Sequence, residues 1–193
     1  KEILEVADAV ELDTKEIKSR ISELHEQNPM LGHRGCRLGI SFPEIYEMQC
    51  RAIFEALIEC KKKKLKSTMP EIMIPLVSTE AEIKIMKDLV IRIAKKVQDE
   101  NKTKISFLVG TMIELPRAAI KAKDIAKHAE FFSFGTNDLT QTTFGISRDD
   151  SGKFLNDYID NKIFTIDPFI SIDDGVKDLI KIAVEKGKKQ NKK

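Results

Sequence analysis

The sequence predicts an α/β fold, read as part of a TIM-type (β/α)8 barrel that lacks its first strands and its last βα units. Three observations carry this. Residues 71–77 (EIMIPLV), 105–113 (ISFLVGTMI) and 131–134 (FFSF) are short apolar runs of the kind that fill strands buried on both faces. The first two runs are each followed by a helical pattern, and successive runs begin about 30 residues apart, the period of consecutive βα units in a parallel sheet or barrel. The chain has 193 residues, whereas a whole barrel takes about 250, and neither opening strands nor a fourth βα unit are legible. The expectation is therefore one fragment of a barrel domain over residues 1–193.

Composition narrows the function classes. Lysine and arginine number 33 and aspartate and glutamate 31, for a formal net charge of +2. So even a balance gives no pull toward nucleic acid or a membrane surface. Hydrophobic residues at 41% argue against disorder, and no apolar run approaches the ~20 residues of a membrane span. The opening KEILEVADAVELD alternates acids with apolar residues and does not read as a secretory signal. Cys36, Cys50 and Cys60 are odd in number and lack CxxC spacing, which reads as reduced thiols in a cytoplasmic protein, not as a disulfide frame or zinc site. His25, His33 and His128 are too scattered to suggest a ligand set.

Taken in order, residues 1–12 read as a helix end or a frayed start. A helix follows with Asp13 as its cap and Glu16 three residues on, placing Ile17, Ile21 and Leu24 on one face. Asn28-Pro29 stops it, because proline disfavours the α region for the residue before it. His33-Arg34-Gly35-Cys36-Arg37 is short and non-periodic, hence a loop. Its two arginines are either solvated decoration, which spacing alone favours, or an anion clamp. Pro43 starts a helix to about Lys64, with Tyr46, Cys50, Ile53 and Leu57 as its apolar stripe. The lysines at 61–64 suit a helix C-terminus and lack the interleaved aromatic residues of a nucleic-acid patch. After the first strand, Thr79 and Glu82 form a capping box for a helix whose stripe is Ile83, Met86, Val90, Ile93 and Val97. A helix over 116–128 follows the second strand. Residues 140–172 read as a long irregular segment, functional or covering. A last helix runs from about Asp173, with Val176, Leu179, Ile180 and Ala183 inward, Gly187 as its stop and a disordered basic tail beyond.

Chemistry concentrates where two strands end. The second run terminates in Glu114, followed by Pro116 at the first turn of a helix, and the third breaks at Gly135 into Thr136-Asn137-Asp138. Glycine allows close approach of backbone to ligand. Two adjacent parallel strands that each deliver a carboxylate at the C-terminal end would set Glu114 and Asp138 side by side, a pairing that suits a hard cation such as Mg2+. The competing reading is structural, with Asn137 or Asp138 merely capping the turn that follows.

The stretches NPMLGHRGCRLGISFPEIYEMQCRAIFEA, PEIMIPLVSTEAE, FLVGTMIELPRAA, FFSFGTNDLTQTTFGISRDDSGKFL and the DPF at Asp167 together resemble the phosphoenolpyruvate-utilising enzymes, specifically the C-terminal phosphoenolpyruvate/pyruvate-binding barrel of the pyruvate, phosphate dikinase branch. The match covers about 15–187 and leaves 188–193 as a basic tail. GTNDLTQ and the arginine segment are shared with phosphoenolpyruvate synthase and with enzyme I of the sugar phosphotransferase system, which stand as alternatives, whereas HRGCRLGI with FGISRDDSGKFL resembles the dikinases. The resemblance implies a phosphotransferase in which a phosphohistidine on a swivelling domain delivers its phosphoryl group, with Mg2+, to pyruvate enolate and forms phosphoenolpyruvate. It implies Glu114 and Asp138 as metal ligands, and Arg34, Glu114, Gly135, Thr136, Asn137 and Asp138 as substrate contacts, with Arg34 gripping the phosphoryl group and Arg37 left a structural role. It implies phosphohistidine and ATP-binding nucleotide domains as partners in the full-length enzyme, a homodimer in that form, and neither nucleic acid nor membrane as a partner.

Departures from the family pattern bear on activity. Its second phosphoryl-binding arginine lies on an earlier strand, and its proton-donor cysteine lies in a Cys-Gly-Glu segment past the last helix, so no catalytic residue is assigned within this sequence. The isolated chain is expected to be inactive and, with open strand edges, poorly behaved in solution. A pyruvate-enolate aldolase or lyase barrel, and a non-catalytic remnant that binds metal or pairs with another barrel, are the competing readings.

Overall fold

A computed structural model of the chain describes residues 2–25 and 28–191. It divides into two compact units, Lys1–Arg34 and Gly35–Lys193. The first holds helices α1 (Glu2–Val10) and α2 (Thr14–Glu23), which pack on each other. Asp13 caps α2 as expected, its side chain accepting from the Lys15 N–H at 2.9 Å. The apolar face expected on α2 is not a buried one: Ile21 and Leu24 are about half exposed and no residue of the helix is buried.

In the second unit, the segment read as loop over 33–37 instead turns at Gly35 into a short helix, α3 (Cys36–Ser41). Its six residues are fewer than two turns, too few for a period to be visible in sequence. Helix α4 (Pro43–Lys62) starts with proline where the missing N–H costs nothing. Its buried stripe is Cys50, Phe54, Leu57 and Ile58, with Tyr46 partly buried, whereas Ile53 is exposed. Phe54 takes the place expected of Ile53, its larger ring in the core and 4.9 Å from that of Phe107 in a tilted contact.

Three strands follow, β1 (Glu71–Ile74), β2 (Leu108–Ile113) and β3 (Phe132–Phe134), in a parallel sheet of order β1-β2-β3. Each is shorter than its apolar run. Pro75 cannot donate to a ladder, so β1 stops at Ile74, and residues 105–107 lead into β2 without joining it. Between β1 and β2 runs α5 (Glu80–Asn101), which realises the capping box in full: Thr79 accepts from the Glu82 N–H, and Glu82 accepts from the Thr79 N–H at 2.7 Å. Its expected stripe is buried throughout and packs with α4. The second crossover departs from a single 116–128 helix and is two pieces, α6 (Pro116–Ile120) and α7 (Ala122–Ile125), broken at Lys121.

Beyond β3 the chain is more ordered than its sequence suggests. Helix α8 (Thr136–Phe144), a 3₁₀ turn at Ser151–Lys153 and α9 (Leu155–Asp160) occupy much of the segment read as irregular. Phe144, Phe154, Tyr158 and Phe164 hold it together through ring contacts of 5.2–5.5 Å. Helix α10 (Asp174–Gln190) is capped by Asp173 and runs through Gly187 instead of stopping there. A Cβ at Gly187 would lie 2.7 Å from the Phe132 ring, so this glycine serves a close helix–strand contact. Residues 188–190 of the expected disordered tail are thus helical; Lys192 and Lys193 lie outside the described residues. The fold is mixed α/β, mostly helical around a small parallel sheet.

Candidate functional site

The parallel register decides which residues meet. Ile113 pairs with Phe134, so the next residues, Glu114 and Gly135, stand together just past the C-terminal ends of β2 and β3. This is the end of a parallel sheet where ligands bind in open α/β folds and barrels. Glu114 is only 3% exposed. A carboxylate so buried needs partners, and Oε1 accepts a 2.6 Å hydrogen bond from the Leu76 N–H at the end of β1. Its Oε2 faces Gly135: a Cβ there would lie 2.8 Å from that oxygen and 2.5 Å from Met112 Sδ. Gly135 is therefore fixed by the carboxylate beside it.

Leu76 is itself unusual. Its φ of 58° is a left-handed conformation, for a bulky residue that is 1% exposed. Such backbone persists only where surroundings hold it. Here they do so from two sides. Cys36 donates from its N–H to Pro75 O at 3.1 Å and from Sγ to Leu76 O at 3.3 Å. Gly35, at φ 58°, packs so closely that a Cβ would sit 3.1 Å from Pro75 O and Leu76 Cβ. Gly35 and Cys36 of the HRGCR segment thus hold the end of β1, which in turn aims an N–H at Glu114. Burial pushes the Cys36 thiol up to about 12, an inert packing and hydrogen-bonding group.

Asp138 sits in the first turn of α8, where a negative charge is favoured by the helix dipole. The N-cap of α8 is Gly135, so the capping role that sequence left open for Asn137 or Asp138 is not theirs. Asp138 Oδ1 accepts from Asn137 Nδ2 at 3.2 Å and Gln141 Nε2 at 3.4 Å. Thr142 Oγ1 donates to Asp138 O of its own helix at 2.7 Å and lies 3.5 Å from Glu114 O. Thr136 and Asn137 line an adjoining cavity of about 220 Å³ with Arg148, Phe169 and Ser171.

Five of the six expected site residues, Glu114, Gly135, Thr136, Asn137 and Asp138, thus stand at one end of the sheet. Arg34 belongs to the first unit, where its N–H donates to Gly32 O at 3.0 Å. Arg37 lies in the first turn of α3. Among the described residues no group of three or more histidine, cysteine or acidic side chains converges in a way that could hold a metal. The expected ligands, Glu114 and Asp138, would offer two carboxylates. Such a pair would suit Mg2+, which is commonly held by one or two carboxylates and completed by water and substrate oxygens, better than zinc, which takes three or four protein ligands.

Sequence reading missed Leu76, Gln141, Thr142 and Arg148. Arg148 had a signal, since it lies in the SRDD stretch that carried the resemblance. Leu76 had none, because its part is played by a backbone N–H.

The family described as "PEP-utilising enzyme, PEP-binding domain" matches residues 6–192. Among curated proteins, a pyruvate, phosphate dikinase from Rhizobium meliloti is 54% identical over 189 residues, covering 97% of this chain and 21% of that protein. One from Clostridium symbiosum is 52% identical over 185 residues, 95% and 21% of the two chains. From Arabidopsis thaliana, the protein named pyruvate, phosphate dikinase 1, chloroplastic, is 55% identical over 185 residues, 95% and 19% of the two. The chain therefore spans about a fifth of the length of these relatives. With a match that runs nearly end to end, the chain belongs to the family of PEP-utilising enzymes and corresponds to their PEP-binding domain.

Proposed function

We propose that this chain is the phosphoenolpyruvate/pyruvate-binding part of a pyruvate, phosphate dikinase, a fragment of a (β/α)8 barrel domain that works with phosphohistidine and nucleotide-binding domains. The observation that carries the reading is the placement of Glu114 and Asp138 past the C-terminal ends of neighbouring parallel strands, around a glycine that leaves room for ligand. The sequential order β1-β2-β3 agrees with consecutive barrel strands.

In this reading Glu114 and Asp138 hold Mg2+. The ion, when bound, supplies positive charge against the oxygens that react. Gly135 lets the substrate approach the strand end, while Thr136 and Asn137 offer a hydroxyl and an amide to its carboxylate or carbonyl. Arg34 grips the phosphoryl group through its planar donor fork, for which lysine would be a poor replacement. Buried Glu114, pinned by the Leu76 N–H, keeps its orientation as substrate enters and leaves.

The test is made in the full-length dikinase that carries this segment. Asp138→Asn preserves shape and removes one charge. It is expected to abolish phosphoenolpyruvate formation from pyruvate while phosphoryl transfer from ATP to the histidine domain continues. Equal loss of both half-reactions would contradict the assignment and point to a folding role.

A further inference from the structure

Arg148 lies in the loop after α8, four residues past its end, yet it makes two hydrogen bonds back to that helix. Its Nη1 donates to Asn137 Oδ1 at 3.1 Å, and its backbone N–H donates to Gln141 Oε1 at 2.7 Å. Both donors are one-way: a guanidinium and a peptide N–H have no acceptor to offer. Each therefore fixes an amide that could otherwise flip, drawing its oxygen toward Arg148 and turning its NH2 the other way. Both NH2 groups then meet the same atom, Asp138 Oδ1, at 3.2 and 3.4 Å. The guanidinium is steadied in turn by the Phe169 ring, 5.9 Å away.

We propose that Arg148 is a positioning residue for the metal-binding carboxylate of Asp138, acting through the orientation of Asn137 and Gln141. The inference rests on the reading of Asp138 as a metal ligand and adds the device that aims it. Partners that orient a metal-binding carboxylate are worth about tenfold or more in metal affinity. The sign of the effect separates this role from simple electrostatics. A bystander cation near the site repels a metal ion, so its removal would tighten binding; removal of a positioning arginine loosens binding despite the lost repulsion.

The experiment titrates the nucleotide-free full-length dikinase that carries this segment with Mn2+, followed by water-proton relaxation, beside NMR of the selectively nitrogen-15-labelled Asn137 and Gln141 side-chain amides. Arg148→Ala is expected to weaken Mn2+ binding about tenfold and to shift the Asn137 amide resonances, with Arg148→Lys recovering part of both. Tighter Mn2+ binding in Arg148→Ala, or unchanged amide resonances, would overturn the proposal. A parent chain that binds no Mn2+ would overturn the metal reading instead, and the amide resonances would still test whether Arg148 orients Asn137.

Discussion

Gly135 is the residue at which the site tolerates least. Its missing Cβ is the space that Glu114 Oε2 and Met112 Sδ already crowd, at 2.8 and 2.5 Å. Glu114 cannot easily yield, because Leu76 holds its other oxygen and the carboxylate is buried. Gly135→Ala is therefore expected to cost about 1–3 kcal/mol, the usual range for overpacking, read from denaturant unfolding. An undiminished midpoint would show that the carboxylate moves aside freely. What the sequence shows beforehand is position: Glu114 closes an apolar run, and Gly135 breaks the next one into the polar tip that holds Asp138. Residues that act through backbone or through another side chain were not legible. Nothing about a leucine at 76 signals a left-handed conformation whose N–H meets an acid 38 positions on.

At the scale of elements, the long amphipathic stretches were the readable ones. Helix α5 has a capping box and five apolar positions in register, and each is where periodicity put it. Helix α4 shows the limit of periodicity, since Ile53 and Phe54 both extend an apolar arc and only packing chooses Phe54. Short α3, and α8 with its run of threonines, carry too little pattern to be read. The break at Lys121 has no marker either, for lysine is a good helix former. Helices α3 and α4 share a further property, a buried thiol each. Desolvation pushes Cys36 up to about 12 and Cys50 up to about 11, from an ordinary 9.0. Above pH 9 the unfolded chain loses thiol protons that the folded chain keeps. Stability that is fully present below pH 9 is therefore expected to fall as pH rises toward 11 and 12. Comparing unfolding midpoints with a Cys36→Ala, Cys50→Ala double variant isolates the effect: the parent should lose more stability over this window than the variant. Equal pH slopes would mean that the thiols ionise alike in both states.

For the whole molecule, the described residues form a helical unit and a larger α/β unit whose three parallel strands end on one rim. No helix among them is long and apolar enough to cross a membrane. On that rim the proposed function sets the two acids around one cation, with Leu76 and the amides of α8 aiming them. Titration of the nucleotide-free full-length dikinase that carries this segment with Mn2+, beside its Glu114→Gln and Asp138→Asn variants and with the fold of each checked by its melt, tests this most directly. One Mn2+ site is expected in the parent and loss of it in both variants, with melts that remain cooperative. Undiminished Mn2+ binding in either well-folded variant would contradict the shared site.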